Sequence, residues 1–200
     1  MKAVLFDMDG VLIDSHNAWF TRFNAALEHF GFKKINMEEF DMHIWAINFA
    51  ETVSRYFPGK TIDEVRKFYF DNFEKFVDLV KKMPHAEEAL KIIKQKSLKL
   101  GVASNTQSNI VKEVLKRHNL IKYFDHIIGG EMVKKGKPDP EIILLGLSKM
   151  KMKPDEILFI GDTIYDKQAA EAAKVKFIGY KTDGDFRVDD LRDIFKISGL

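Results

Sequence analysis

The feature that most constrains this 200-residue chain is a series of short apolar runs, each closed by a polar or glycine-containing turn. Ala3 to Phe6, Leu98 to Ala103, His126 to Ile128, Ile157 to Ile160 and Val175 to Ile178 read as strands buried on both faces. Most are separated by segments of helical spacing. Ile110, Val111, Val114 and Leu115 mark one such helix, Ile142, Ile143 and Leu147 a second, and Ala169, Ala170 and Ala173 a third. Strand followed by helix, repeated, predicts an α/β fold: a doubly wound, Rossmann-like parallel sheet with helices on both faces.

The alternation stops between about Ser15 and Lys82, a stretch without a convincing strand and dense in aromatic residues at helical spacing. An inserted all-helical domain is expected over residues 15–82, with 1–14 and 83–200 forming the sheet domain. The last helix of the insertion has the clearest pattern. Thr61 and Glu64 form a capping box, and Ile62, Val65, Tyr69, Phe73, Phe76 and Val80 make one continuous apolar stripe. Met83 and Pro84 mark the return to the sheet. The aromatic residues read first as the packing of a helix bundle, with a few at the junction available to a ligand.

Composition narrows the function classes. A formal charge of +2, with lysines alternating with carboxylates, argues against a nucleic-acid binder and is compatible with a small anionic ligand. The absence of cysteine removes disulfides, thiolate nucleophiles and cysteine-based zinc sites, so any metal must be held by oxygen or imidazole. The first apolar run is broken at Asp7, and no later run reaches membrane-spanning length. A cytoplasmic protein without membrane contact is expected, and a monomer and a homodimer both remain open.

In open parallel sheets, ligands bind at the carboxyl ends of the strands, and four of these ends carry notable groups. Asp7-Met8-Asp9-Gly10 puts two carboxylates on one side of an extended backbone, where a cation or substrate would relieve their repulsion; as turn-forming aspartates they would need neither. Ser104-Asn105-Thr106 offers hydroxyl and amide donors ahead of a helix starting near Ser108, whose N-terminal dipole would favour a phosphoryl group; helix capping is the alternative. Lys137 lies between Gly136 and Pro138, stiffened for anion binding, whereas Lys134 and Lys135 read as surface charges. Gly161-Asp162-Thr163-Ile164-Tyr165-Asp166 places carboxylates four apart at the start of a helix, on one face, with Asp162 also a candidate cap. Taken together, they describe one site for an anion and a hard divalent cation such as Mg²⁺.

In the order DMDGVLIDS, ASNT, GKPDP and GDTIYD, with a helical insertion after the first, these motifs resemble the haloacid dehalogenase-like hydrolases, in the branch of phosphoglycolate phosphatase-like and β-phosphoglucomutase-like enzymes. The resemblance spans essentially the whole chain. It implies a small phosphorylated substrate and a helical cap that closes during attack and reopens for release. Asp7 would be the nucleophile, and Asp9 the acid and later the base. Asp7, the Asp9 backbone carbonyl and Asp162 would hold Mg²⁺, with Asp166 behind them, and Ser104, Asn105 and Lys137 would hold the phosphoryl group. An aspartate at position 9 argues against dehalogenation. Trp19, where similar sugar-phosphate mutases usually have histidine, argues against a mutase, and His16 does not take that place. A non-catalytic ligand-binding module is the remaining alternative, disfavoured by the intact set of polar residues. His85 stands where relatives commonly have glycine and reads as an exposed turn residue.

Overall fold

In chain order, the strands of the computed structural model are β1 (Ala3–Phe6), β2 (Ile13–Asp14), β3 (Lys81–Lys82), β4 (Lys99–Ser104), β5 (His126–Gly129), β6 (Ile157–Gly161), β7 (Lys176–Tyr180) and β8 (Phe186–Val188). The α-helices are α1 (His16–His29), α2 (Met37–His43), α3 (Phe49–Tyr56), α4 (Ile62–Asp71), α5 (Phe73–Val77), α6 (Ala86–Gln95), α7 (Ser108–Arg117), α8 (Glu141–Met150) and α9 (Ile164–Ala172). The structure describes residues 1–45 and 49–197. Two compact units are present: Met1–Asp14 with Lys82–Leu200, and Ser15–Lys81.

The first unit holds a six-stranded sheet in the order β5-β4-β1-β6-β7-β8, with every neighbouring pair parallel. Ala3 pairs with both Lys99 and Ile157, which puts β1 at the middle of the sheet with its apolar residues fully buried. On one side, Ile142, Ile143 and Leu147 of α8 and Ala169, Ala170 and Ala173 near α9 pack with Leu5, Ile128, Phe159 and Phe177. The alanines leave no long side chain to hold α9 away from the strands. The five strands expected from the apolar runs are present, and β8 is an additional edge strand whose Phe186-Arg187-Val188 has no continuous apolar run to announce it.

Met83 N–H donates to the Leu12 carbonyl at 3.0 Å, so the returning chain is tied to the outgoing one inside this unit. His85 then adopts φ 61° ahead of α6, a left-handed conformation that glycine enters more easily, and its imidazole reaches Glu88 at 3.3 Å. Its side chain is 39% exposed, consistent with a solvated turn residue.

The second unit is helical and centred on rings. Phe23 packs edge-on against Tyr56 and Phe57, and Phe30 and Phe32 also meet Phe57. Phe23, Phe40 and Phe57 are nearly fully buried, which is the packing role expected of the aromatic pattern. The continuous helix expected from Ile62 to Val80 is instead broken at Asn72. Its backbone N–H, at 3.1 Å, and its side-chain amide, at 3.0 Å, both donate to the Phe68 carbonyl, and the chain re-enters a helix at Phe73. The Thr61–Glu64 capping box is formed as expected. Trp19 is buried, with the Arg22 guanidinium 4.0 Å from its ring centre, and His16 is bound to Asp41 at 2.5 Å. No helix among the described residues is long and apolar enough to cross a membrane.

Candidate active site

β1, β4 and β6 run in the same direction, so their last residues emerge along one edge of the sheet. Asp7 follows β1 directly and is still held by the ladder, its N–H donating to the Ile160 carbonyl at 2.8 Å. Its Oδ1 accepts the Met8 N–H at 2.7 Å and lies 2.8 Å from Lys137 Nζ. Lys137 Nζ is also 2.6 Å from Asp166 Oδ1. The side chains of Lys137, Asp7 and Asp166 are 5%, 9% and 1% exposed. Burial pushes the Asp7 carboxyl well up; Lys137 opposes that shift, and Asp166, Asp162 and Asp9 add to it. Burial also works against the Lys137 ammonium, but Asp166 and Asp7 outweigh it and hold the ammonium above its ordinary range. The charge state is therefore collective, one buried cation serving two carboxylates.

The GDTIYD segment supplies the next groups, with one change from the expected roles. Thr163, not Asp162, caps α9: its hydroxyl accepts the Asp166 N–H at 3.2 Å, while Asp166 Oδ2 accepts the Thr163 N–H at 3.0 Å. Asp166 thus has Oδ2 committed to the cap and Oδ1 to Lys137. Released from capping, Asp162 is placed with Asp7 and Asp166 in a group whose ligand oxygens lie within 4.8 Å of one another. Its Oδ1 is buried and has no hydrogen-bond partner. Burial first, then the charge on Asp166, pushes its carboxyl up to about 7. An orphaned buried carboxylate oxygen beside a second carboxylate is what a hard divalent cation would satisfy.

Gly10 permits this approach. It has φ +81°, and a Cβ built there would stand 2.0 Å from Asp162 Oδ2. The turn is closed by Gly10 N–H to the Ile13 carbonyl and Leu12 N–H to the Met8 carbonyl, at 2.8 and 2.9 Å. We expect Gly10→Ala to cost about 1–2 kcal/mol in backbone strain and to displace Asp162. Thermal melting with and without Mg²⁺ checks this; a variant with unchanged melting and unchanged Mg²⁺ response would contradict it.

Beyond β4, the three polar residues divide their work. Ser104 Oγ and Thr106 Oγ1 both donate to Asp9 Oδ2, at 3.3 and 3.1 Å. The Asn105 carboxamide instead clasps the backbone of Lys137, donating to its carbonyl at 3.0 Å and accepting its N–H at 2.8 Å. The Asn105 side chain therefore positions the lysine loop. Gly136 makes room for it, since a Cβ there would lie 2.4 Å from Asn105 Oδ1. The bond between Lys137 and Pro138 is cis.

The start of α7 differs from expectation too. Glu131 Oε2 accepts the Ser108 N–H at 2.9 Å and Oε1 accepts the Ser108 hydroxyl at 2.5 Å, so a carboxylate from the short helical turn after β5 already occupies this helix end. The dipole expected to serve a phosphoryl group is answered by the protein itself. Glu131 carries no local signature that could have revealed this, being 23 residues away. Thr106 was visible as a donor, but its partner Asp9, 97 residues distant, was not.

A buried carboxylate–lysine pair, further carboxylates and hydroxyl donors thus gather at the carboxyl ends of a parallel α/β sheet, the place where folds of this class bind ligands. The sequence model of the haloacid dehalogenase-like hydrolases matches residues 4–180, and the chain belongs to this family. It is 34% identical over 187 residues to a phosphorylated carbohydrates phosphatase of Thermotoga maritima, covering 89% of this chain and 84% of the relative. It is 28% identical over 210 residues to the pyrophosphatase PpaX of Bacillus pumilus, covering 100% and 97%. Among solved structures it resembles a haloacid dehalogenase-superfamily hydrolase of subfamily IA from Geobacter sulfurreducens, with TM-score 0.81, 28% identity and 98% coverage of both chains.

Proposed function

We propose that this hydrolase is a Mg²⁺-dependent phosphatase that removes phosphate from a small phosphorylated metabolite through a covalent phosphoryl group on Asp7. The observation that carries the reading is Asp7 itself: a buried carboxylate, 2.8 Å from the Lys137 ammonium, within ligand distance of Asp162. The names of the relatives make phosphorylated carbohydrates and pyrophosphate the first substrates to try.

In this mechanism an Asp7 oxygen forms a bond to phosphorus while the bond to the leaving oxygen breaks, and Asp9 gives that oxygen its proton. Asp9 then takes a proton from water as the water oxygen attacks the phospho-aspartate, releasing inorganic phosphate and regenerating Asp7. Lys137, Ser104 and the Asn105 N–H would hold the equatorial oxygens, so that catalysis is mainly positioning and charge neutralisation. Asp7, the Asp9 carbonyl and Asp162 would hold Mg²⁺, which supplies positive charge against the phosphoryl oxygens. Asp166, with both oxygens already accepting bonds, supports the site through Lys137 and the α9 cap. Residues 15–82 would act as the cap domain that selects the substrate. Trp19, buried within it, offers no imidazole for the proton transfers between sugar hydroxyls that a mutase needs, which favours hydrolysis.

The test is phosphate release from a panel of phosphorylated carbohydrates, phosphoglycolate, nucleotides and pyrophosphate, with Mg²⁺ or with chelator. Mg²⁺-dependent release is expected; no release from any compound would overturn the reading. Asp162→Ala should raise the Mg²⁺ concentration for half-maximal activity by about 10–100-fold with little change in melting temperature. An unchanged Mg²⁺ titration would remove Asp162 from the metal site.

A further inference from the structure

The hydroxyl of Thr106 is held on Asp9 and has no part in the phosphatase mechanism described above. Thr106 Oγ1 and Ser104 Oγ converge on the same carboxylate oxygen, Asp9 Oδ2, at 3.1 and 3.3 Å. The two donors are themselves linked, since Thr106 N–H donates to Ser104 Oγ at 3.1 Å. That bond orients the serine hydroxyl with its own proton toward Asp9. Asp9 lies on the tight turn after β1, where Gly10 has φ +81°. A carboxylate on such a turn has open side-chain rotations, and two converging donors select one of them.

From this geometry we infer that Thr106 is a positioning residue for Asp9, aiming its carboxyl for proton transfer to the leaving oxygen. The inference rests on the phosphatase reading above and goes beyond it by dividing the two hydroxyls. When a phosphoryl group arrives, Ser104 turns its hydroxyl to a phosphoryl oxygen and leaves Asp9. Thr106 then remains as the hydroxyl that holds the carboxylate through the step in which the leaving group is protonated. Thr106 touches neither phosphorus nor the leaving group, and its effect is exerted through Asp9.

This division makes the loss depend on the leaving group. A departing para-nitrophenolate needs little protonation, whereas phenolate and para-methoxyphenolate need progressively more. In Thr106→Val, which keeps the shape and loses the hydroxyl, kcat/KM for para-nitrophenyl phosphate should fall by about threefold or less, and for para-methoxyphenyl phosphate by about 30-fold or more. Thr106→Ser, which restores a hydroxyl, should recover most of the difference. Melting temperature is measured alongside, and if the valine variant is poorly folded, Thr106→Ala provides the same comparison without a β-branched side chain. Equal losses on all three aryl phosphates, or failure of the serine variant to recover, would overturn the positioning role while leaving the phosphatase reading intact. A wild type that hydrolyses none of these phosphates or the metabolite panel would overturn both.

Discussion

Asp7→Asn is expected to lower kcat by at least about 10⁴-fold on every substrate the protein hydrolyses, because the amide oxygen is a poor nucleophile and no neighbouring side chain can replace it. The fold should survive. Asn has nearly the same shape, the Asp7 N–H to Ile160 bond is made by the backbone, and Lys137 keeps Asp166 at 2.6 Å. The stability change should stay within about 1–2 kcal/mol. Its sign is informative, since burial already disfavours the Asp7 charge and Asp166, Asp162 and Asp9 add to the repulsion. Removing one negative charge from that group relieves repulsion at the cost of one ion pair. Steady-state phosphate release with a denaturant titration measures both quantities. A variant with near-normal turnover would show that the covalent bond is not made to Asp7.

Lys137→Met is expected to be the most destabilising single change in the site. It leaves Asp7 and Asp166, at 9% and 1% side-chain exposure, without the ammonium that lies between them. Breaking a buried pair by removing one partner costs about 3–5 kcal/mol, since the remaining charges stay desolvated. The pH dependence follows from the shifts. In the wild type the raised Lys137 pKa contributes stability that is fully present below the ordinary lysine range and lost only as pH rises through the higher folded value, so it is constant around neutrality. Without Lys137 the upward pressure on Asp7 from burial is unopposed. A carboxyl raised in the folded state binds its proton where the unfolded chain has lost it, so stability falls as pH rises through that window. The variant should therefore melt higher at pH about 5 than at pH about 8, with a steeper dependence than the wild type. Combining it with Asp166→Asn should recover much of the stability and none of the activity, separating the two duties of the lysine. A fully stable single variant at neutral pH would contradict the ion-pair account.

The strands show what a local pattern can carry. Buried parallel strands must be apolar on both faces over a few residues, and the five apolar runs could be read directly as such. The polar residues that end them were equally visible, because in this topology ligand-binding groups can only follow the strand, and Asp7, Ser104, Lys137 and Asp162 were named on that ground. The helix break at Asn72 and the edge strand at Phe186–Val188 were not legible. The apolar stripe runs across the first without a Gly or Pro to mark it, and the second depends on a neighbour already in place to pair with.

By itself, then, the sequence determined the element types, the sheet class and the chemical kinds of group at each strand end, because these follow from periodicity and from what a residue type can do. Partnership was decided only by tertiary structure. Glu131 took the N-terminus of α7, Asn105 gave its side chain to the Lys137 backbone, and Thr106 reached Asp9. Each choice is a competition among several donors and acceptors of similar local propensity. It is settled by which groups the sheet brings within about 3 Å of each other, a quantity that separations of 23 to 97 residues along the chain do not encode.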